Sequence, residues 1–162
     1  YTGETGSTST TFTAGNAITE GGTDGLTLAK LRNAKQILDS NSVDPSIPRT
    51  IVVAPVAISD LLAVTQATSS DYASVKALVQ GEIDTFMGFK FVMSNRLSKT
   101  GNLRKLLVYA QDGMLLALGQ DIVTRIDERS DKGYATQVYC SQSIGATRME
   151  ETKCVSIESY EA

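Results

Sequence analysis

The chain has no histidine and no tryptophan, and only two cysteines and three prolines in 162 residues. Without histidine there is no Ser-His-Asp or Cys-His triad, and the commonest general base near neutral pH is missing. Two widely separated cysteines cannot supply a zinc ligand set either. They are also too few for a disulfide-stapled scaffold, and nothing else points to an oxidising compartment. Cys140 and Cys154 lie in strand-like segments of small and apolar residues. We therefore expect both to be small buried hydrophobes. A hairpin centred near Thr147 would set them opposite one another. No GxSxG, GxxxxGK[ST] or GxGxxG pattern occurs, and GGTDG (21–25) has the wrong spacing for a phosphate loop. The missing tryptophan weakens a carbohydrate-binding reading.

No apolar run approaches the ~20 residues needed to cross a bilayer. The opening YTGETGSTSTTFTAG has neither the basic end nor the apolar centre of a signal peptide. It also lacks an initiator methionine, so a fragment or a processed product is expected. Fifteen Lys and Arg against 18 Asp and Glu give a net charge of −3 and a pI near 5.0. That balance argues against a dedicated nucleic-acid binder and leaves room only for glancing contact with DNA. The longest stretch of one sign, Arg96 to Lys105, reads as a solvated loop.

What is present describes an ordinary globular chain, 41% hydrophobic and 20% charged. Residues 1–25 are rich in Gly, Ser and Thr and predict a flexible arm or extended ribbon. TLAKLRNAKQILDSN (27–41) predicts a helix capped by Thr27, with Leu28, Leu31, Ala34, Ile37 and Leu38 on one stripe. Pro45 and Pro48 then forbid its continuation. TIVVA (50–54) predicts a buried strand, and Pro55 suits the first turn of a helix carrying Ile58, Leu61, Leu62 and Thr65 on one face. A further helix is expected from about Ser70 to Gln80, stopped by Gly81.

Beyond that point the period becomes two. Phe89, Phe91 and Met93 alternate with Lys90, Val92 and Ser94, and LRKLLVYA (103–110) predicts a second strand. DGMLLALG (112–119) fits a short helix or an apolar strand. DIVTRIDER (121–129) alternates, with Ile122, Thr124 and Ile126 on one side. Segments 134–144 and 152–159 predict a hairpin around Gly145. Helices early and strands late give an α+β class.

Three groups invite a chemical reading. Asp127, Glu128 and Asp131 carry carboxylates suited to a hard cation, but Arg125, Arg129 and Lys132 among them favour ion-paired surface. Ser130 near Lys132 imitates a Ser–Lys dyad at a spacing common by chance. Phe86, Phe89, Phe91 and Met93 would line a pocket, although strand alternation explains them as core. No catalytic, cofactor-binding or metal-ligating residue is assigned, and no cofactor is expected.

GEIDTFMGFKFVMSNRL (81–97) resembles a pattern of tailed-phage major capsid proteins, carried by Gly81, Ile83, Phe86, Met87, Gly88, Phe89, Ser94 and Leu97. The run from TIVVAP through ISDLL to SSDY (50–72) has the matching element order. LTLAKLRNAKQIL (26–38) is similar to the family's spine helix. DIVTRIDERSDKGYATQVYCSQSIGATRMEETKCVSIE (121–158) resembles its closing strands, with Gly145, Ala146 and Arg148 most characteristic. The resemblance covers 26–159. It implies a Hong Kong 97-type capsid fold divided into an extended-loop remnant or flexible arm (1–25), a peripheral domain with the spine helix (26–50), an axial domain (51–119), and the closing strands of the peripheral domain (120–162). An N-terminal arm and a complete extended loop would be expected upstream. The implied function is a non-enzymatic virion shell subunit that assembles with copies of itself into pentamers and hexamers around double-stranded DNA. Scaffolding and portal proteins are further implied partners, contact with DNA is at most non-specific, and no membrane is involved. Alternatives are an encapsulin-type nanocompartment shell and, from another class, a small ligand-binding or hydrolytic domain.

Overall fold

The computed structural model describes residues 11–19, 22–65 and 85–161. The helix expected at 70–80, the Ser-Asp-Tyr pattern (70–72), residues 81–84 and residues 1–10 lie outside them.

α1 (Leu28–Ser40) starts where its sequence directs. Thr27 is extended, and its hydroxyl accepts the Lys30 amide, satisfying one of the helix's orphan donors. The other end closes in a Schellman motif, with Val43 N–H donating to Leu38 O and Ser42 N–H to Asp39 O. Val43 and Leu38 are both buried, which supplies the apolar contact this motif favours. The motif needs a left-handed residue, and Ser42 takes it at φ 58°. Glycine would adopt that backbone without a Cβ clash. Ser42→Gly is therefore expected to stabilise the chain by about 1 kcal/mol. A thermal or denaturant melt checks this, and a loss of stability would mean the serine side chain matters more than the backbone.

One sheet organises the body in the order β1 (Ala17–Ile18), β9 (Cys154–Tyr160), β6 (Leu103–Ala110), β2 (Arg49–Val53), β4 (Phe89–Met93) and β3 (Thr85–Phe86). β5 (Lys99–Thr100) adds to β6. β1–β9 and β2–β4 pair in parallel, while β6 runs antiparallel to both of its long neighbours. α2 (Pro55–Thr65) follows β2 directly, with Pro55 at its first position as expected. Leu31, Ala34 and Leu38 of α1 join Ile51, Val53, Phe89, Leu106, Val108, Val155 and Ile157 of the sheet in one core. Ile58 and Leu61 of α2 belong to it as well.

Two of the expected domain boundaries fall within strands. The boundary expected between 50 and 51 falls inside β2, and the one between 119 and 120 falls inside β7 (Met114–Arg129). α1, assigned to a peripheral domain, packs in the same core as the strands assigned to an axial one. Apolar burial is indifferent to such labels: the α1 stripe covers whichever sheet completes the core.

Other expectations are corrected. The hairpin around Gly145 does not form. β8 (Ala135–Arg148) pairs with β7 along their lengths, and Gly145 sits mid-strand opposite Ala117. The reversal occurs instead at a 3₁₀ turn, Ser130–Lys132, followed by left-handed Gly133 and Tyr134. Cys154, opposite Tyr109, is buried, but Cys140 is exposed opposite Thr124, so the two are neither opposed nor bonded.

The Arg96–Lys105 stretch is also more than a solvated loop, because it contains β5 and the start of β6. Arg104 donates to Glu161 (2.5 Å), Lys99 lies 3.7 Å from the same carboxylate, and Lys105 is 4.0 Å from Glu158. The Arg104 bond holds the Glu161 carboxyl below its usual range.

Within the expected arm, residues 11–18 are tied down. Ile18 pairs with Ile157, and Thr13 gives both its amide and its hydroxyl to Glu151. Asn16 donates to the Glu151 carbonyl, and the Arg148 guanidinium lies 4.6 Å over the Phe12 ring.

Candidate assembly surface

The groups singled out for chemistry are not assembled into a site. Asp127 faces Gln137 and Glu128 faces Thr136, and successive strand residues point to opposite faces, so the two carboxylates cannot converge on one ion. Asp131 is engaged by Arg129 through Nε (2.9 Å) and Nη2, which holds its carboxyl below the usual range. Among the described residues no three Cys, Asp or Glu side chains are placed to hold a metal. Ser130 and Lys132 both stand in the exposed turn. Phe89 is fully buried and Phe86 nearly so, with Phe91 tilted against Phe86 at 6.4 Å between ring centres. Met93 is 68% exposed, so the stripe is core at one end and surface at the other.

The body does carry a half-open cleft of about 380 Å³, lined by Lys35, Asp39, Val43, Pro45, Arg49 and Met87 among others. Its buried cation is already committed, since Arg49 Nη2 donates to Asp39 (2.7 Å) and to the Val43 carbonyl (3.0 Å). No described helix is long and apolar enough to cross a membrane.

The feature without counterpart in an ordinary globular domain is the ribbon β7–β8, strands of 16 and 14 residues forming a sheet of their own. At ~3.3 Å per residue its strands run to roughly 50 Å. Pairing fixes which side chains share a face. Leu116 and Ala146, Leu118 and Ile144, Thr124 and Cys140, and Ile126 and Val138 stand together. On the other face are Gln120 with Ser143, Val123 with Ser141, Arg125 with Tyr139, and Asp127 with Gln137. The first face thus holds most of the large aliphatic side chains, with Arg148 and the Glu128–Thr136 pair at its ends, while the other is more polar but also carries Leu115 and Val123.

Irregularities at Leu118/Gln120 and Gln120/Val123 interrupt the ladder. β7 advances five residues there while β8 recedes three, an excess of two that preserves the alternation. One extra residue would have turned the distal aliphatic side chains over to the polar face.

The aliphatic face is open to solvent: Leu116, Leu118, Ile126, Val138 and Ile144 are 58–68% exposed. At roughly 60–120 Å² of apolar area per such side chain, they present a few hundred Å², the scale at which exposed patches mark interaction sites. A two-stranded ribbon is marginal alone, and covering this face would stabilise it. The sequence pointed to it only in part, through the alternation of Ile122, Thr124 and Ile126; the contribution of β8 was hidden by the misplaced turn.

Comparisons with known proteins agree with this geometry. No curated protein matches the chain. Solved structures do. A structure from Mycobacterium phage Che8 superposes with a TM-score of 0.63 at 17% identity, covering 83% of this chain and 53% of that one. The capsid of Ralstonia phage GP4 gives 0.69 at 12% identity, covering 94% and 54%. The holo-SrpI encapsulin complex from Synechococcus elongatus PCC 7942 gives 0.63 at 10%, covering 93% and 55%. The chain spans about half the length of these structures. At such identities the likeness establishes the fold, which is Hong Kong 97-like. The family described as phage capsid protein matches residues 1–161, and the chain belongs to that family.

Proposed function

We propose that the chain is a structural, non-catalytic part of a self-assembling subunit in the shell of a virion, enclosing double-stranded DNA. The observation that carries this reading is the β7–β8 ribbon, one face of which leaves Leu116, Leu118, Ile126, Val138 and Ile144 exposed. A surface of that kind is unfavourable in a monomer and useful where many weak contacts are multiplied by symmetry. Family membership supports the same role. On this reading the α1–α2 body with its sheet is the axial domain and the ribbon belongs to the peripheral one. Further copies of the subunit, in pentamers and hexamers, are the principal partners. Scaffolding and portal proteins are further ones, and the acidic balance limits DNA to non-specific contact. An encapsulin-type shell is the second reading, favoured by the SrpI likeness. Nucleic acid inside purified particles separates the two.

The test is sedimentation velocity of the chain over a rising concentration series, alongside Ile126→Lys/Val138→Lys. Wild type is expected to form species larger than a monomer. The variant should lose at least tenfold in apparent association constant while the body melts at an unchanged temperature. A wild type that stays monomeric throughout, or a variant that associates equally well, would sink the proposal.

A further inference from the structure

Among the described residues, three non-glycine residues hold left-handed backbone: Ser42, Met87 and Tyr134. Two have a local reason. Ser42 closes the Schellman motif, and Met87 begins the two-residue turn before Gly88 (φ 85°) while packing against the core. Tyr134 (φ 60°) also closes a turn, but its large side chain is 72% exposed at the ribbon's tip, where a smaller residue would serve the turn as well. A bulky residue there is a conformational outlier, and Asn or Gly would hold the same backbone more easily. Strain kept without a packing return is the mark of a functional position.

The tip is also rigid. The Tyr134 amide donates to the Arg129 carbonyl at 3.0 Å, closing the turn, and the Arg129 guanidinium grips Asp131 through two nitrogens. Rigidity of this kind removes ordering costs before a partner arrives. Around Tyr134 the tip carries Arg125, Arg129 and Lys132 against Asp127, Glu128 and Asp131, three bases and three acids within eight residues. A surface with balanced, interspersed charge complements a copy of itself better than it complements a uniformly acidic or basic partner.

The geometry points to Tyr134 as an aromatic anchor between copies of this chain, seated against the tip of a neighbour's ribbon. This inference rests on the shell reading and gives it one specific contact. Exposed tyrosine on a pre-formed support is a residue type enriched among those that dominate interface energies.

The experiment compares the 162-residue chain with Tyr134→Gly and Tyr134→Asn by sedimentation velocity and thermal melting. In parallel, a photo-crosslinking phenylalanine analogue is placed at position 134. The expected result is association weakened at least tenfold in both variants, with melting temperatures unchanged or raised as the strain is relieved. Crosslinks from position 134 should map to residues 125–134 of another copy. A lowered melting temperature would show that Tyr134 serves the fold, and would overturn the inference. Undiminished association, or crosslinks mapping elsewhere, would overturn it while leaving the shell reading standing. A wild type that never associates would bring down both.

Discussion

Phe89→Ala is expected to cost about 3–5 kcal/mol of folding stability. Phe89 is fully buried at the head of β4, in parallel register with Arg49 of β2 and opposite Phe86 of β3. Its ring belongs to the core shared by α1, the sheet and α2, so its loss leaves a cavity that several elements would have to close together. Domains of this size are stable by only about 5–15 kcal/mol, so the substitution takes a large share of the total. Met93 on the same strand is the control, being 68% exposed. Met93→Ala should change stability by about 0.5 kcal/mol or less. Guanidinium unfolding of both variants checks the contrast. Similar losses at the two positions would mean that β4 is not anchored by its buried end.

The second large effect is an asymmetry within the Arg49–Asp39 pair. The Arg49 side chain is 5% exposed and that of Asp39 is 48% exposed. Arg49 Nη2 makes both hydrogen bonds, while Nε is buried without an acceptor. Asp39→Ala strands a buried cation on a single carbonyl, at a cost of about 2–3 kcal/mol. That figure is below the range for a fully buried pair because the carboxylate is half in water. Arg49→Met removes the cation and the orphaned Nε together while keeping an unbranched chain of similar reach, so it should lie within about 1 kcal/mol of wild type. Adding Arg49→Met to Asp39→Ala is then expected to recover stability. If Arg49→Met alone costs more than Asp39→Ala, the guanidinium is a net stabiliser and this account fails.

The parts of the fold legible in the sequence were those set by chemistry within a few residues. The Thr27 cap, the apolar stripe from Leu31 to Leu38, Pro55 at a helix start and the alternation along 103–110 each depend on neighbours one turn or one pleat away. The reading failed where partners are distant. Gly145 looked like a turn, yet mid-strand it meets Ala117, where two small residues face each other. The true turn at Ser130–Gly133 was hidden among charged residues that read equally well as surface. Cys140 fell on an exposed face because, among the described residues, β8 pairs only with β7, which no local pattern announces. A helix with a good apolar stripe likewise does not say which sheet it will cover.

β9 has a consequence in time. It lies inside the sheet between β1 and β6, buried along most of its length, and it is made after nearly everything else in the chain. A ribosome that has released β7 and β8 has therefore synthesised the sticky ribbon before the strand that completes the body exists. Until residue 160 emerges, β1 has no neighbour and β6 lacks one flank. The nascent chain thus keeps an unpaired edge on β6 and an unpaired β1, a state exposed to misassembly and to chaperones. Completion of the body therefore waits for β9, which is made after the ribbon.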